Sequence, residues 1–170
     1  IMRKLFFILA AVATLFYACE KSEVEDVYNP SEDGIVGNWL SAGADVAPLL
    51  STYFAVDSIT ANFKNNNTYA VVSYSGGVPT NYVGTFVQTK SGTGIIWTIK
   101  LNQSTPSAVT SEGIFEITKV GEGYTMRYEV VQTEPDIGAT PPTATAGFGS
   151  SNGGALGQMN IQKFVKDSTV

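Results

Sequence analysis

Histidine and cysteine, two side chains that often act as nucleophiles, general bases or metal ligands, are nearly absent from this sequence. The 170 residues contain no histidine and one cysteine, Cys19. Without histidine, Ser-His-Asp and Cys-His catalysis, imidazole acid–base chemistry and His-ligated zinc are excluded for this stretch of chain. A lone cysteine excludes an intramolecular disulfide and a thiolate metal cluster. We therefore expect no metal and no cofactor, and the Cys19 thiol is the most distinctive reactive group.

Carboxylates are the remaining side chains that could support catalysis. Asp45, Asp57, Glu112 and Glu116 are the mid-chain acids to consider as a pair for glycoside hydrolysis. Asp45 falls in a predicted loop and Asp57 at the entrance of a predicted strand, and both glutamates have the parity of outward-facing strand positions. All four are expected to be solvated, and the chain is predicted not to be an enzyme.

Composition limits the class of protein and the class of partner. The chain is 44% hydrophobic and 15% charged, with a net charge of −5. Its length suits one domain with a real core, and its charge fraction lies well below the usual ~25%, so it is not a disordered acidic chain. No basic stripe interrupts the acidic balance, so we expect no nucleic-acid partner.

The first residues have the pattern of an export signal. Arg3 and Lys4 precede an apolar run over residues 5–16, which is too short to span a bilayer and typical of a secretory signal peptide. The segment ending in Ala18-Cys19 resembles a bacterial lipobox, which predicts a lipoprotein signal over residues 1–18. The resemblance implies that Cys19 carries acyl chains, such as palmitate, and that they anchor the protein to a membrane. A plain signal peptide with a chance cysteine is the alternative.

An acidic segment follows the cysteine. Residues 19–34 contain Pro30 and little apolar content, and we predict a flexible tether there. Its six acids are Glu20, Glu23, Glu25, Asp26, Glu32 and Asp33. Such runs are similar to signals that send lipoproteins to the outer face of some Gram-negative outer membranes. That similarity implies an outer-membrane lipoprotein, at the cell surface rather than the periplasmic face, and the alternative is a merely soluble linker.

The rest of the chain, residues 35–170, is predicted to be one all-β domain. Period-2 segments rich in Val, Ile, Thr, Tyr and Phe alternate with Gly, Asn and Pro clusters, and no long helix is indicated. The predicted strands are 35–41, 56–64, 68–75, 81–89, 95–101, 109–120, 124–133 and 158–166. Short connections and one apolar face per strand favour an eight-stranded antiparallel up-and-down barrel. A sandwich with a longer crossover is the alternative.

Three short motifs in these strands resemble those of lipocalins. Gly37-Asn38-Trp39 is similar to the G-x-W motif, residues 63–69 are similar to the F-K-x-x-x-T-Y hairpin of lipocalin-like bacterial lipoproteins, and Gly84-Thr85-Phe86 is similar to their G-T-Y strand. The resemblance implies a lipocalin-like (calycin-type) barrel in which Gly37 and Trp39 are structural and Trp39 plugs the closed end. Lipocalins cap this tryptophan with a basic residue from the last strand, and Lys163 and Lys166 are the two candidates here.

A barrel of eight strands is just wide enough to be filled by side chains or to hold one small ligand. The predicted function is binding of a small apolar or glycan-derived ligand at the mouth, with loops 42–55 and 134–157 as its rim. A structural or interaction subunit with a filled barrel is the alternative, and its protein partner is unknown. Loop 42–55 is expected to be a lid or a short packed helix, whereas loop 134–157 fits a contact loop, a mobile linker or a plug. The candidate ligand-contacting residues are Phe63, Tyr69, Tyr82, Phe86, Trp97, Phe115, Tyr128 and Phe148.

Overall fold

A computed structural model describes residues 28–167 of the chain. The strands in this part are β1 (Gly37–Ala42), β2 (Val56–Phe63), β3 (Thr68–Ser75), β4 (Val78–Lys90), β5 (Trp97–Thr105), β6 (Val109–Val120), β7 (Gly123–Glu134) and β8 (Gln162–Lys166). Two short α-helices, α1 (Pro30–Asp33) and α2 (Pro48–Phe54), and 3-10 turns at Gly43–Asp45, Ser151–Gly154 and Gly157–Asn160 complete the fold. The signal at 1–18, Cys19 and the first part of the tether lie outside the described residues.

The eight strands form a closed antiparallel barrel in sequence order, with β8 returning to pair with β1. This confirms the predicted fold class and removes the sandwich alternative. Closure leaves no unpaired sheet edge, which is how up-and-down barrels avoid edge-to-edge association. Each strand turns one apolar face inward, as the period-2 pattern predicts.

Tight turns explain where some strands begin. Gly76 and Gly77 both have positive φ, at +57° and +80°, so they form a two-residue turn that pairs Ser75 directly with Val78. As a result β4 starts before the predicted residue 81. β5 starts later than predicted, at Trp97, because Ile96 closes the preceding loop through its backbone bonds to Ser91 and Thr93. The 3-10 turn at Gly157–Asn160 delays β8 to Gln162.

Chain connectivity gives the barrel two different ends. The hairpins after β2 and β6 and the loop after β4 lie at one end, where Trp39 and α1 also lie. The segments after β1, β3, β5 and β7 lie at the other end, and they include the two longest connections, 43–55 and 135–161. We call the first the closed end and the second the open end.

Trp39 plugs the closed end, as the resemblance implied. It is 1% exposed, its Nε1 donates to the carbonyl of Ile35 at 2.7 Å, and Tyr28 meets its ring edge-on. Lys166 is the basic residue over it: its Nζ lies 4.9 Å from the Trp39 ring centroid and 3.7 Å from that of Tyr28. This Nζ also donates to the carbonyl of Val36 at 3.1 Å. Burial lowers the pKa of Lys166, a shift that Asp33 partly offsets by favouring the charged form.

Gly37 is required where it stands. Its φ is +129°, and a Cβ built there would collide with Lys166 Nζ. The missing side chain is the space into which the lysine fits, so the predicted structural role of Gly37 has a direct physical reason. The G-x-W pair and Lys166 therefore form one packing unit.

The end of the predicted tether is folded onto the barrel. Tyr28 packs edge-on against Tyr124 at 5.0 Å, and its hydroxyl donates to the carbonyl of Gly34. Gln88 fixes Ile35 and Asp33 by accepting from the backbone N–H of Ile35 at 2.8 Å and donating to the carbonyl of Asp33 at 3.0 Å. Residues 28–34 thus cover the closed end instead of serving as free tether. None of the helices between residues 28 and 167 is both long and apolar enough to cross a membrane.

Trp39→Ala should strongly destabilise the protein, because it empties the closed end and removes the surface on which Lys166 lies. We expect the free energy of unfolding to fall by about 3–5 kcal/mol, measured by denaturant unfolding followed by circular dichroism. Trp97→Ala is the matched control, since Trp97 is only partly buried and should cost clearly less. Equal costs for the two substitutions would contradict the plug.

Candidate functional site

The interior of the barrel is filled at the closed end. Trp39, Phe86, Phe115 and Met126 are each 1% exposed or less, and Phe86 meets Phe63 edge-on at 5.2 Å. Large rings at this level leave no space for a ligand, because interior packing approaches that of organic crystals.

Beneath the open end the barrel contains a cavity of about 210 Å³. Its walls come from β2, β3, β7 and β8, and its roof comes from the segment after β1. The apolar lining residues are Ala47, Leu50, Ile59, Ala61, Phe63, Val71, Val130 and Phe164, and the polar ones are Tyr128, Asn160 and Gln162. The cavity exists because Ala61 and Val71, neighbours on β2 and β3, are too short to fill the space beside the larger side chains that line it.

The roof is a short lid formed by α2 and the residue before it. Pro48 starts the helix at its first turn, and Ala55 ends it in the left-handed region with φ +52°. Ala47 is 2% exposed, and with Leu50 it covers the cavity. Loop 42–55 therefore contains the short packed helix that the sequence offered as one alternative, and this helix also roofs the interior.

Gln162 holds the lid to the barrel seam, the place where β8 pairs with β1. Its Oε1 accepts from the backbone N–H of Ala47 at 2.8 Å. Its Nε2 donates to the hydroxyl of Ser41 on β1 and to the carbonyl of Asp45 at 3.2 Å. Gln162 is 5% exposed, so both ends of a buried amide are satisfied by the lid and by β1. One side chain on β8 thus joins three segments.

Tyr128 contributes the most distinctive polar group of the cavity wall. Its ring packs edge-on against Phe164 at 6.0 Å, while its hydroxyl makes no hydrogen bond to any residue in the described range 28–167. Burial raises the pKa of Tyr128 well above its ordinary value, and the nearby phenol of Tyr69 adds to the shift. The hydroxyl is therefore protonated and available as a donor at neutral pH.

The predicted ligand-contacting aromatics divide between the cavity and other sites. Phe63 and Tyr128 line the cavity, whereas Phe86 and Phe115 belong to the filled closed end and Tyr69 and Tyr82 pack into the same interior without lining the cavity. Burial raises the pKa of Tyr69 to about 12. Sequence parity placed all six on the inner face but did not give their height along the barrel.

Trp97 belongs to a different feature, a groove of about 310 Å³ between α1 and the loop after β4. Trp97 stacks on Phe115 at 5.9 Å, and Lys90 lies 5.6 Å from its ring centroid. Lys90 in turn pairs with Glu32 of α1 at 3.3 Å. The Trp97 ring in this groove is thus already covered by Lys90, a cation of the same chain.

Phe148 lies outside the barrel, because loop 134–157 packs against the outer wall of β7. Its ring stacks under the Arg127 guanidinium at 4.3 Å. The neighbouring anchor is Glu129, which is fully buried and accepts from the backbone N–H groups of Gly149 at 2.6 Å and Ser151 at 3.1 Å and from the Ser151 hydroxyl. Glu129 has the outward parity of a surface residue, so the sequence carried no signal for this role.

The four carboxylates considered for catalysis are dispersed. Glu112 pairs with Lys100 at 2.9 Å and Glu116 with Arg127 at 3.0 Å on the outer wall. Asp57 lies at the start of β2, where it accepts from the backbone of Gly76, and Asp45 lies in the 3-10 turn beside the lid. Among residues 28–167 no three acidic, histidine or cysteine side chains are grouped as metal ligands would be.

Large apolar side chains are exposed on the segments at the open end. Tyr53 and Phe54 at the end of α2 are 68% and 64% exposed, and Val78 and Ile137 have similar exposure. The carbonyl of Phe54 accepts from Ser75, whose strand pairs with Val78, so the lid and the β3–β4 hairpin are neighbours. We call these four exposed residues of the open-end segments, Tyr53, Phe54, Val78 and Ile137, the apolar rim.

Gln162→Ala should loosen the lid, because it leaves the Ala47 N–H and the Ser41 hydroxyl without their partner. We expect a loss of about 1–3 kcal/mol in the free energy of unfolding and faster hydrogen exchange at the Ala47 amide. Lys163→Ala, the adjacent exposed position, is the control and should change neither quantity. Unaltered exchange at Ala47 in the Gln162 variant would show that Gln162 does not hold the lid.

Comparison of the chain with protein-family models, curated proteins and solved structures finds no match. What the chain shares with lipocalins is therefore established at the level of architecture, an eight-stranded closed antiparallel barrel. Function has to be argued from the cavity and its walls, since a fold of this kind serves many roles.

Proposed function

We propose that this protein binds a small apolar molecule inside its barrel, beneath α2. The observation that carries the proposal is the cavity of about 210 Å³, which has eight apolar lining residues, two of them in its roof, in a barrel whose other half is filled. Ligand sites are concave, largely apolar and furnished with a few polar groups, and this cavity has those properties.

The size of the cavity limits the ligand. Drug-sized ligands occupy sites of about 300–1,000 Å³, which is more than this cavity offers. This cavity is larger than an apolar cavity of about 150 Å³, which is known to hold benzene. The best fit is a molecule with one ring or a short acyl chain.

The walls favour an apolar ligand over a glycan-derived one. A sugar presents a hydroxyl on nearly every carbon, and each hydroxyl buried without a partner is costly. The amide N–H groups of Gln162 and Asn160 are already engaged, Gln162 with the lid and β1, Asn160 with the carbonyl of Val130 at 3.0 Å and the hydroxyl of Ser151 at 3.2 Å. Too few partners are left for a sugar.

Ethylbenzene is a suitable first probe, and Ala61→Leu should abolish its binding. Ala61 lines the cavity and is 4% exposed, so a leucine there fills space that the ligand needs. We expect saturable binding of ethylbenzene to the wild-type protein by isothermal titration calorimetry, and at least tenfold weaker binding to the variant. Ala70→Leu, on the outward face of β3, is the matched control and should bind normally. Undiminished binding to Ala61→Leu would place the ligand elsewhere. Absence of ethylbenzene binding to the wild-type protein would refute the proposal.

We further propose that the protein is a lipoprotein anchored through acyl chains on Cys19. The support is the sequence pattern of Arg3 and Lys4, the apolar run 5–16 and Ala18-Cys19. Each buried acyl CH₂ contributes about 0.8 kcal/mol, so two chains give durable anchoring. The acidic residues after Cys19 support an outer-membrane location with the barrel at the cell surface.

Cys19→Ser should release the protein from the membrane. We expect the wild-type protein in the outer-membrane fraction of its host and the variant in the soluble fraction, measured by fractionation and immunoblotting. Lys21→Ser, a nearby change that keeps the thiol, should leave the distribution unaltered. A Cys19→Ser protein that still sediments with membranes would contradict the anchor, and resistance to protease on intact cells would contradict surface display.

The apolar rim favours a second candidate function, an interaction subunit that contacts a partner at the open end. Tyr53, Phe54, Val78 and Ile137 expose large apolar surface, and contiguous exposed apolar residues often mark interaction sites. A barrel that binds no small molecule, together with loss of a complex in a Phe54→Ser variant, would favour this candidate.

A further inference from the structure

The polar side chains of the cavity wall differ in how many of their hydrogen-bond donors are free to bind a ligand. The Nε2 of Gln162 donates to Ser41 and Asp45, and the Nδ2 of Asn160 donates to Val130 and Ser151. The Tyr128 hydroxyl, by contrast, has no hydrogen-bond partner within residues 28–167. Among the wall side chains it is therefore the spare donor, and it is the group toward which a ligand acceptor would be drawn.

We infer that the cavity selects an uncharged, one-ring-sized molecule with a hydrogen-bond acceptor such as a carbonyl oxygen, and that the Tyr128 hydroxyl donates to that oxygen. This inference rests on the proposed ligand-binding function and adds the chemical class of the ligand. A donor that faces the cavity without a protein partner discriminates between ligands, because a ligand that lacks the matching acceptor displaces its hydration and leaves it unsatisfied.

Charge on the ligand is disfavoured by the same walls. No lysine or arginine is among the residues that line the cavity. Arg127 and Lys163, the nearest basic residues along β7 and β8, stand next to inward positions and have outward parity themselves. A carboxylate brought into this site would lose its hydration without gaining a cation, which is far more costly than burying a carbonyl group.

Tyr128 is held rigidly enough to give the hydrogen bond a direction. Its ring meets that of Phe164 edge-on at 6.0 Å, and its backbone pairs with Phe115 on β6 and Gln162 on β8. The hydroxyl donor is thus carried by a strand that is paired on both sides, and not by a loop. A preorganised donor of this kind contributes affinity without the entropic cost of ordering a mobile group.

The test compares three probes that share one ring: ethylbenzene, acetophenone and benzoate. Acetophenone carries the carbonyl acceptor, ethylbenzene lacks it, and benzoate is charged at neutral pH. Each is titrated by calorimetry into the wild-type protein and into Tyr128→Phe, which removes the hydroxyl but keeps the ring. The melting temperature of each variant is measured first, so that a loss of binding is not mistaken for unfolding.

We expect Tyr128→Phe to weaken acetophenone binding by about three- to tenfold, the range of one net hydrogen bond, and to leave ethylbenzene binding unchanged or slightly tighter. Benzoate should bind at least tenfold more weakly than acetophenone. Tyr82→Phe, which removes a phenol from an inward residue that does not line the cavity, is the matched control and should change neither affinity.

The outcomes separate this inference from the proposed function. If ethylbenzene and acetophenone both bind and Tyr128→Phe changes them equally, the recognition by Tyr128 is refuted and ligand binding stands. Benzoate that binds as tightly as acetophenone would refute the preference for uncharged ligands. If none of the three probes binds the wild-type protein, both the proposed function and this inference fail.

Discussion

The barrel depends on the seam between β1 and β8, where the backbone pairing is short. β1 and β8 pair in register at Trp39 with Lys166 and at Leu40 with Val165, and an additional backbone bond joins Asp167 to Asn38. Every other neighbouring pair has a longer ladder. Side chains of β8 complete the seam, with Lys166 over Trp39 at one end and Gln162 joined to β1 and the lid at the other. The short final strand therefore supplies both the closure of the barrel and the attachment of its roof.

The division of the interior follows from the sizes of the inward side chains. Around Trp39 the inward positions carry large groups such as Phe86 and Phe115, and they fill the cross-section. Ala61 and Val71, which pair with each other on β2 and β3, are too short to reach the opposite wall, so a cavity remains between them and the strands β7 and β8. An eight-stranded barrel is near the limit at which side chains can fill the interior, which is why a few small residues at one level suffice to open a site.

Sequence reasoning predicted the parts of this protein that depend on local pattern. Alternation and turn residues predicted eight strands and their antiparallel order, and the G-x-W resemblance predicted that Trp39 plugs one end. The cavity was harder, because period-2 parity gives the face of Tyr69 or Phe86 but not its height along the barrel. The role of Glu129 as an anchor for the long loop could not be predicted. Its carboxylate is fully buried at an outward position because N–H groups of a loop distant in sequence donate to it. Phe148 was misjudged for the same reason, because its partner, Arg127, lies on another segment of the chain.

The anchoring of the long loop to the outer wall leaves α2 as the roof of the cavity. Glu129 and Arg127 hold residues 148–151 against the outer wall of β7, so that part of the loop does not cover the mouth. The roof is α2, and the segment that carries it is bounded by two residues in the left-handed region, Gly43 at φ +58° in the preceding 3-10 turn and Ala55 at φ +52° after the helix. On the proposed function, a ligand that enters from the open end would pass Leu50 and Ala47, and the side-chain amide of Gln162 holds the backbone of Ala47 in place. The residue that completes the barrel seam therefore also fixes the roof of the cavity, so one side chain links the seam to the interior.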